Sequence, residues 1–161
     1  MIPEQFTTER LQLTLLREED HDFVLALLNS EGWLKFIGDR NVHSAEDARD
    51  YIQKIKNTAD LYYWTVRITV SGQAAGIISF LKRNYLDHFD IGFAFLPAFT
   101  GKGYAYEAAE KVLSAVRKDH SPVLATTLPG NQSSIQLLKR LGMHFKEEIR
   151  NKGISLLVYS T

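Results

Sequence analysis

Between Leu96 and Ala108 the sequence reads Leu-Pro-Ala-Phe-Thr-Gly-Lys-Gly-Tyr-Ala-Tyr-Glu-Ala. A strand-like run ends at Pro97, glycines stand at 101 and 103, and a helix-forming stretch begins at once. Glycine lets the chain turn tightly and approach a ligand closely. The first amides of a helix have no partner inside it and lie at the positive end of its dipole. Such a turn is a ready cradle for a diphosphate. Gly101, Lys102, Gly103, Tyr104 and Ala105 would form it. Turns of this type also occur without a ligand, so the pattern alone leaves both readings open.

Other chemistries are narrowed by composition. The 161 residues include no cysteine, which removes disulfides, thiolate nucleophiles and cysteine-ligated metal centres. His21, His43, His88, His120 and His144 are scattered, with no His-x-x-x-His pair, so no metal is expected. Nineteen basic and 19 acidic residues balance to zero net charge, which argues against a nucleic-acid partner. No apolar stretch approaches the roughly 20 residues of a membrane helix, and Met1 to Arg10 lacks a signal-peptide core. The expectation is a cytoplasmic protein with no membrane partner.

Periodicity supplies the elements that would position the loop. Thr8 to Arg17 alternates as a strand. Glu18, Glu19 and Asp20 precede the helical stripe Phe23, Val24, Leu27 and Leu28. Trp33 and Phe36 fall in an aromatic loop. Ser44 and Asp47 resemble a capping box opening a helix with the stripe Ala45, Ala48, Ile52 and Ile55. Strands are predicted at Tyr62 to Val70, Ala74 to Lys82 and His88 to Leu96. A helix over about Gly103 to Lys118 follows, with Ala105, Ala108, Ala109, Val112, Leu113 and Val116 on one face. Val123 to Leu128 reads as a strand, Gln132 to Leu141 as a helix, and two strands flank Asn151-Lys152-Gly153. Three successive strands argue for a mixed α+β sheet in one domain, residues 1–161. His88 to Leu128 is the one expected parallel crossover.

Thr100-Gly101-Lys102-Gly103-Tyr104-Ala105, followed by Glu107-Ala108, resembles the acyl-CoA signature of the GNAT acetyltransferase superfamily, Gln/Arg-x-x-Gly-x-Gly/Ala. Gly103 and Ala105 occupy the two small positions, and Thr100 replaces the Gln or Arg. Asn131-Gln132-Ser133-Ser134, leading to Leu141-Gly142-Met143, is similar to the family's Asn-x-x-Ser helix ending in Leu-Gly-Phe. Asp90-Ile91-Gly92-Phe93 is similar to its acid-bearing strand. Thr7-Glu9-Arg10-Leu11 with Leu15-Arg17 resembles the branch that acetylates ribosomal-protein N-termini. The resemblance implies a twisted, mostly antiparallel sheet of about seven strands flanked by about four helices. It implies acetyl-CoA as acyl donor and a primary amine as acceptor: a protein N-terminus, an amino acid or a small amine.

In that chemistry an amine attacks the thioester, which calls for a base, an oxyanion donor and an acid for the thiolate. Asp90 is the candidate base, directly or through a water. Since a free aspartate titrates near 3.9, the alternative is a structural carboxylate paired with Arg83 or His88. Asn131 would bond the pantetheine or acyl carbonyl, or cap its helix. Ser134 would protonate the thiolate; Ser133 reads as first-turn helix chemistry. The family's frequent tyrosine acid is absent near Leu141 and Met143. Phe95 and Leu96 would offer backbone groups to the pantetheine arm. Lys139 and Arg140 would reach the 3′-phosphate side or form a solvated face. Trp33 and Phe36 would line the acceptor side, or pack internally. Exposed strand edges make a homodimer plausible. The alternative function is a non-catalytic acyl-CoA-binding or regulatory domain with the same fold.

Overall fold

Alternating side chains divide between two layers, and that division builds the sheet. The computed structural model describes residues 1–161. Its strands are β1 (Gln5–Thr7), β2 (Leu11–Leu15), β3 (Leu61–Ile68), β4 (Ala74–Leu81), β5 (Asp90–Phe95), β6 (Leu124–Thr127), β7 (His144–Asn151) and β8 (Ile154–Ser160). Its helices are α1 (His21–Leu28), α2 (Glu31–Phe36), α3 (Ala45–Lys56), α4 (Tyr104–Val116) and α5 (Gln132–Arg140). The eight strands form one sheet in the order β1-β2-β3-β4-β5-β6-β8-β7. Every neighbouring pair is antiparallel except β5 and β6.

Trp64, Ile78, Phe80 and Ile91 pack with the Ala108, Ala109, Val112 and Leu113 face of α4. Ile77 packs on the opposite layer with Val24 and Leu27 of α1 and Ala48 and Ile52 of α3. Burying each large side chain contributes about 1.5–3 kcal/mol, so these layers hold both helical groups against the sheet. A buried polar anchor fixes the start of α1. Asp20 accepts from Thr65 Oγ1 and the Arg17 amide, each at 3.0 Å, and pairs with Arg67.

The sheet is interrupted at its middle. β5 and β6 share one register pair, Asp90 with Leu124, beside a bond from the Leu124 amide to Phe89 O at 2.9 Å. Beyond that point they separate. Gly92 to Leu96 are consequently half-exposed although β5 is an interior strand. The result is a wedge, closed at Asp90 and open toward Pro97.

The expected order of elements is present, with two local additions. A three-residue β1 pairs ahead of β2, and Thr8 to Arg10 turn between them instead of extending the strand. The expected aromatic loop contains α2, opened by Ser30, whose Oγ accepts from the Trp33 amide at 3.4 Å. The Ser44 cap is observed: its Oγ accepts from the Asp47 amide at 3.0 Å.

Gly76 of β4 pairs with Phe95 on the open side of the wedge. A Cβ there would stand 2.5 Å from the Phe95 ring and 2.6 Å from the Ala94 carbonyl oxygen. The carbonyl cannot swing aside as a flexible side chain would. Gly76→Ala is expected to lower stability by about 2 kcal/mol, a typical overpacking cost. Urea denaturation checks this; an unchanged midpoint would mean that β5 yields freely at this register.

Candidate active site

The mouth of the wedge is built by the chain leaving β5. Pro97 to Phe99 form one 3-10 turn, and the Thr100 hydroxyl donates to Pro97 O at 2.9 Å. Thr100 therefore fastens the turn locally. Gly101 and Gly103 then take φ values of +74° and +81°, the left-handed region that glycine enters without a side-chain penalty. Gly103 is the N-cap of α4, and the Glu107 amide donates to its carbonyl at 3.0 Å. The amides of residues 101 to 106 have no acceptor within the protein. Gly101, Lys102 and Gly103 are exposed; Tyr104 and Ala105 are half-buried. The structure thus brings the five expected residues together on one turn, with free donors at a helix start. That environment favours an anion.

Leu96 corrects its expected role. Its amide donates to Ala75 O at 2.8 Å and its carbonyl accepts from the Phe99 amide at 2.9 Å, so both groups are already used. Backbone directions alternate along a strand. With Leu96 turned toward β4, Phe95 and Phe93 turn their amides and carbonyls into the open wedge. Phe93 was missed by sequence reasoning because only the β4 register fixes this parity.

Asn131 and Ser134 lie at the same edge. β6 runs parallel to β5, so α5 starts beside the end of the sheet from which α4 starts. Asn131 Oδ1 accepts from the Ser134 amide at 3.3 Å, the capping role anticipated for it. The half-buried Ser134 hydroxyl has no partner within the protein, whereas Ser133 is exposed. Arg140 lies 4.1 Å above the Tyr106 ring, which draws α5 toward α4. Lys139 is exposed on α5.

Asp90 sits at the closed end, 2% exposed. Its two carboxylate oxygens accept from Arg83 Nε at 3.0 and 3.2 Å. One of the two anticipated pairings is therefore formed. Burial pushes the Asp90 carboxyl above its ordinary range, and the Arg83 guanidinium partly opposes this.

Trp33 is a correction. It is 4% exposed within the layer formed by α1, α3 and Ile77, so its large apolar surface is spent on packing and does not wall an acceptor. Phe36 is half-exposed, with Lys35 Nζ 5.0 Å from its ring centre. Tyr51 and Tyr63 pack on the same layer and were not anticipated. Burial, and next the neighbouring Tyr63, raise the Tyr51 hydroxyl above its ordinary value. Register also places Tyr63, Ser79 and Gly92 side by side across three strands. A Cβ on Gly92 would lie 2.7 Å from Ser79 Oγ. No cluster of three or more His, Cys, Asp or Glu side chains forms a cation cage.

A mixed sheet split at its one parallel pair, with a glycine-started helix at the opening, is a fold this chain shares with solved acetyltransferase structures. The chain belongs to the GNAT family: its residues 10–144 match the model of the acetyltransferase (GNAT) domain. It is 29% identical over 139 residues to the uncharacterized N-acetyltransferase YnaD of Bacillus subtilis strain 168, covering 85% of this chain and 81% of that one. The crystal structure of a GNAT-family acetyltransferase from Bacillus anthracis superposes with a TM-score of 0.82 at 23% identity, over 98% of this chain and 97% of that one. The ribosomal-protein-S5-alanine acetyltransferase from Vibrio fischeri superposes with a TM-score of 0.78 at 16% identity, over 98% and 95% of the two chains. No helix is long and apolar enough to cross a membrane.

Proposed function

We propose that this GNAT-family acetyltransferase moves an acetyl group from acetyl-CoA to the primary amine of a protein N-terminus, an amino acid or a small molecule. The observation that carries the reading is the run of unpartnered amides, 101 to 106, at the mouth of the split between β5 and β6. Residues 101 to 105 take the donor's diphosphate. Phe95 and Phe93 offer backbone groups to the pantetheine arm, replacing the missing β6 pairing. At about 3.3 Å per residue, the path from Leu96 to Asp90 is roughly 20 Å. An extended pantetheine arm is of that order, so the thioester falls toward the closed end.

There the amine nitrogen attacks the thioester carbonyl carbon. The nitrogen–carbon bond forms as the carbon–sulfur bond breaks. Asp90 takes the amine's proton through a water, since its own carboxylate is buried. The Asn131 side-chain NH2 stays available to an acyl or pantetheine carbonyl while its oxygen caps α5. The Ser134 hydroxyl or a water returns a proton to the departing thiolate. Fixing amine and thioester in one pose supplies much of the acceleration. Phe36 borders the acceptor side. The Vibrio fischeri neighbour's name, naming an alanine of a ribosomal protein, supports an N-terminal amine among the acceptors.

CoA at one hundred times its dissociation constant should stabilise the folded protein by about 2.7 kcal/mol, a rise in melting temperature of roughly 5–10 °C for a domain of this size. Acetyl-CoA with an amine panel should release free thiol. Binding without thiol release on any amine would make the protein an acyl-CoA-binding domain. No thermal shift would remove the donor site altogether.

A further inference from the structure

Glu107 is the one acidic side chain in the first turn of α4. It stands beside the amides assigned to the donor's diphosphate. A free carboxylate there would repel a diphosphate and would compete for the same amides. The turn between β1 and β2 prevents both. Thr8 Oγ1 donates to Glu107 Oε2 at 2.5 Å, and the Arg10 amide donates to the same oxygen at 3.0 Å. Arg10 Nε donates to Oε1 at 2.7 Å. Burial pushes the Glu107 carboxyl upward, and the hydrogen bonds from Thr8 and Arg10 outweigh it, leaving the group below its ordinary value.

Arg10 also holds the loop itself. Its Nη1 donates to Lys102 O at 3.0 Å, and its guanidinium lies 4.5 Å above the centre of the Tyr104 ring. In a trans peptide the carbonyl and the amide point to opposite sides. Anchoring Lys102 O on Arg10 therefore aims the Gly103 amide away from Arg10. One side chain touches the loop, the first helical residue and the acid of the first turn.

We propose that Arg10, assisted by Thr8, is a positioning residue for the acyl donor: it fixes the Lys102–Gly103 peptide and withdraws the Glu107 carboxylate, leaving the turn's amides free for a diphosphate. This rests on the reading of residues 101 to 105 as the donor site. The contacts are made by side chains separated by 97 positions in the chain. The Arg10 side chain is 44% exposed, so truncating it opens no cavity in either apolar layer.

Calorimetric titration with CoA alone tests the proposal. Arg10→Ala should weaken CoA binding about tenfold, through loss of a charge-assisted contact that orders the loop. Its kcat at saturating donor and its acceptor KM should stay within about twofold of wild type, because no transition-state contact is removed. Arg10→Lys keeps the charge without the fork and should recover only part of the affinity. In a Glu107→Gln background the Arg10→Ala effect should shrink to about threefold, since coupled groups are not additive. Equal CoA affinity in wild type and Arg10→Ala would overturn the proposal. So would a loss spread evenly over donor affinity, acceptor KM, kcat and melting temperature. Failure of the wild type to bind CoA would instead sink the donor site on which the proposal stands.

Discussion

Gly103→Val is expected to raise the dissociation constant for CoA about one hundredfold, or about 2.8 kcal/mol, while leaving a folded protein. Gly103 has φ +81° and caps α4. A side chain in the left-handed region costs roughly 1–2 kcal/mol, and a β-branched one is least suited to it. Relief of that strain requires the peptide to rotate, which would turn the 103 and 104 amides off the ligand. The new Cβ would also lie 3.4 Å from Arg10 Nη2, so the rotation would disturb the contact holding Lys102 O. The residue itself is exposed and buries no apolar surface. Melting should therefore fall by only a few degrees for a strain of that size in a domain of this length. Gly101→Ala is the internal comparison: φ is +74° but nothing lies within 4 Å of its Cβ, so strain acts alone and the loss should be smaller. Calorimetry of both variants checks the ordering. Wild-type affinity in Gly103→Val would show that the amides of this turn do not bind the diphosphate.

The contrast between these glycines also marks what a sequence can carry. The pair at 101 and 103 announces a tight turn before a helix, and alternation announces the strands on either side. Those signals are local, and the structure holds them within a residue or two at most boundaries. The Ser44 and Asn131 caps are local as well, since each oxygen reaches an amide three residues on. The hidden features depend on register or on distance along the chain. Leu96 and Phe95 are both apolar, and their sequence says nothing of backbone direction; the bond to Ala75 decides which of them faces the wedge. Nothing near Arg10 points to Glu107. Trp33 has the composition of a ligand wall, but the short α2 turns it into the layer behind the sheet. Gly76 looks like a weak point in a strand; the Phe95 ring explains why no side chain fits.

Asp90→Asn separates the two roles that geometry combines in this residue. Asparagine preserves the shape and one acceptor for Arg83 Nε. It removes a charge whose burial outweighs its pairing with Arg83, and the Arg83 guanidinium left behind is 34% exposed, so water can solvate it. Its stability should therefore stay within about 1 kcal/mol of wild type. Burial raises the Asp90 carboxyl despite Arg83, so the folded state binds the proton more tightly than the unfolded chain does. The sign follows: ionising Asp90 costs stability, and that cost is complete once pH has risen through the folded-state value. The basic form exists above that value, so wild-type kcat/KM should climb through it, and this limb should vanish in the variant. At a pH above the carboxyl's folded-state value and below that of a typical amine, turnover should fall about one hundredfold, within the range of a general base. CoA affinity should stay within about twofold, because the diphosphate amides lie at the other end of β5. The deficit should narrow as pH approaches the point where the amine loses its proton unaided. A deficit constant at every pH, or one matched by lost CoA affinity, would leave Asp90 only its partnership with Arg83. Unchanged turnover above the carboxyl's folded-state value would remove it from the chemistry.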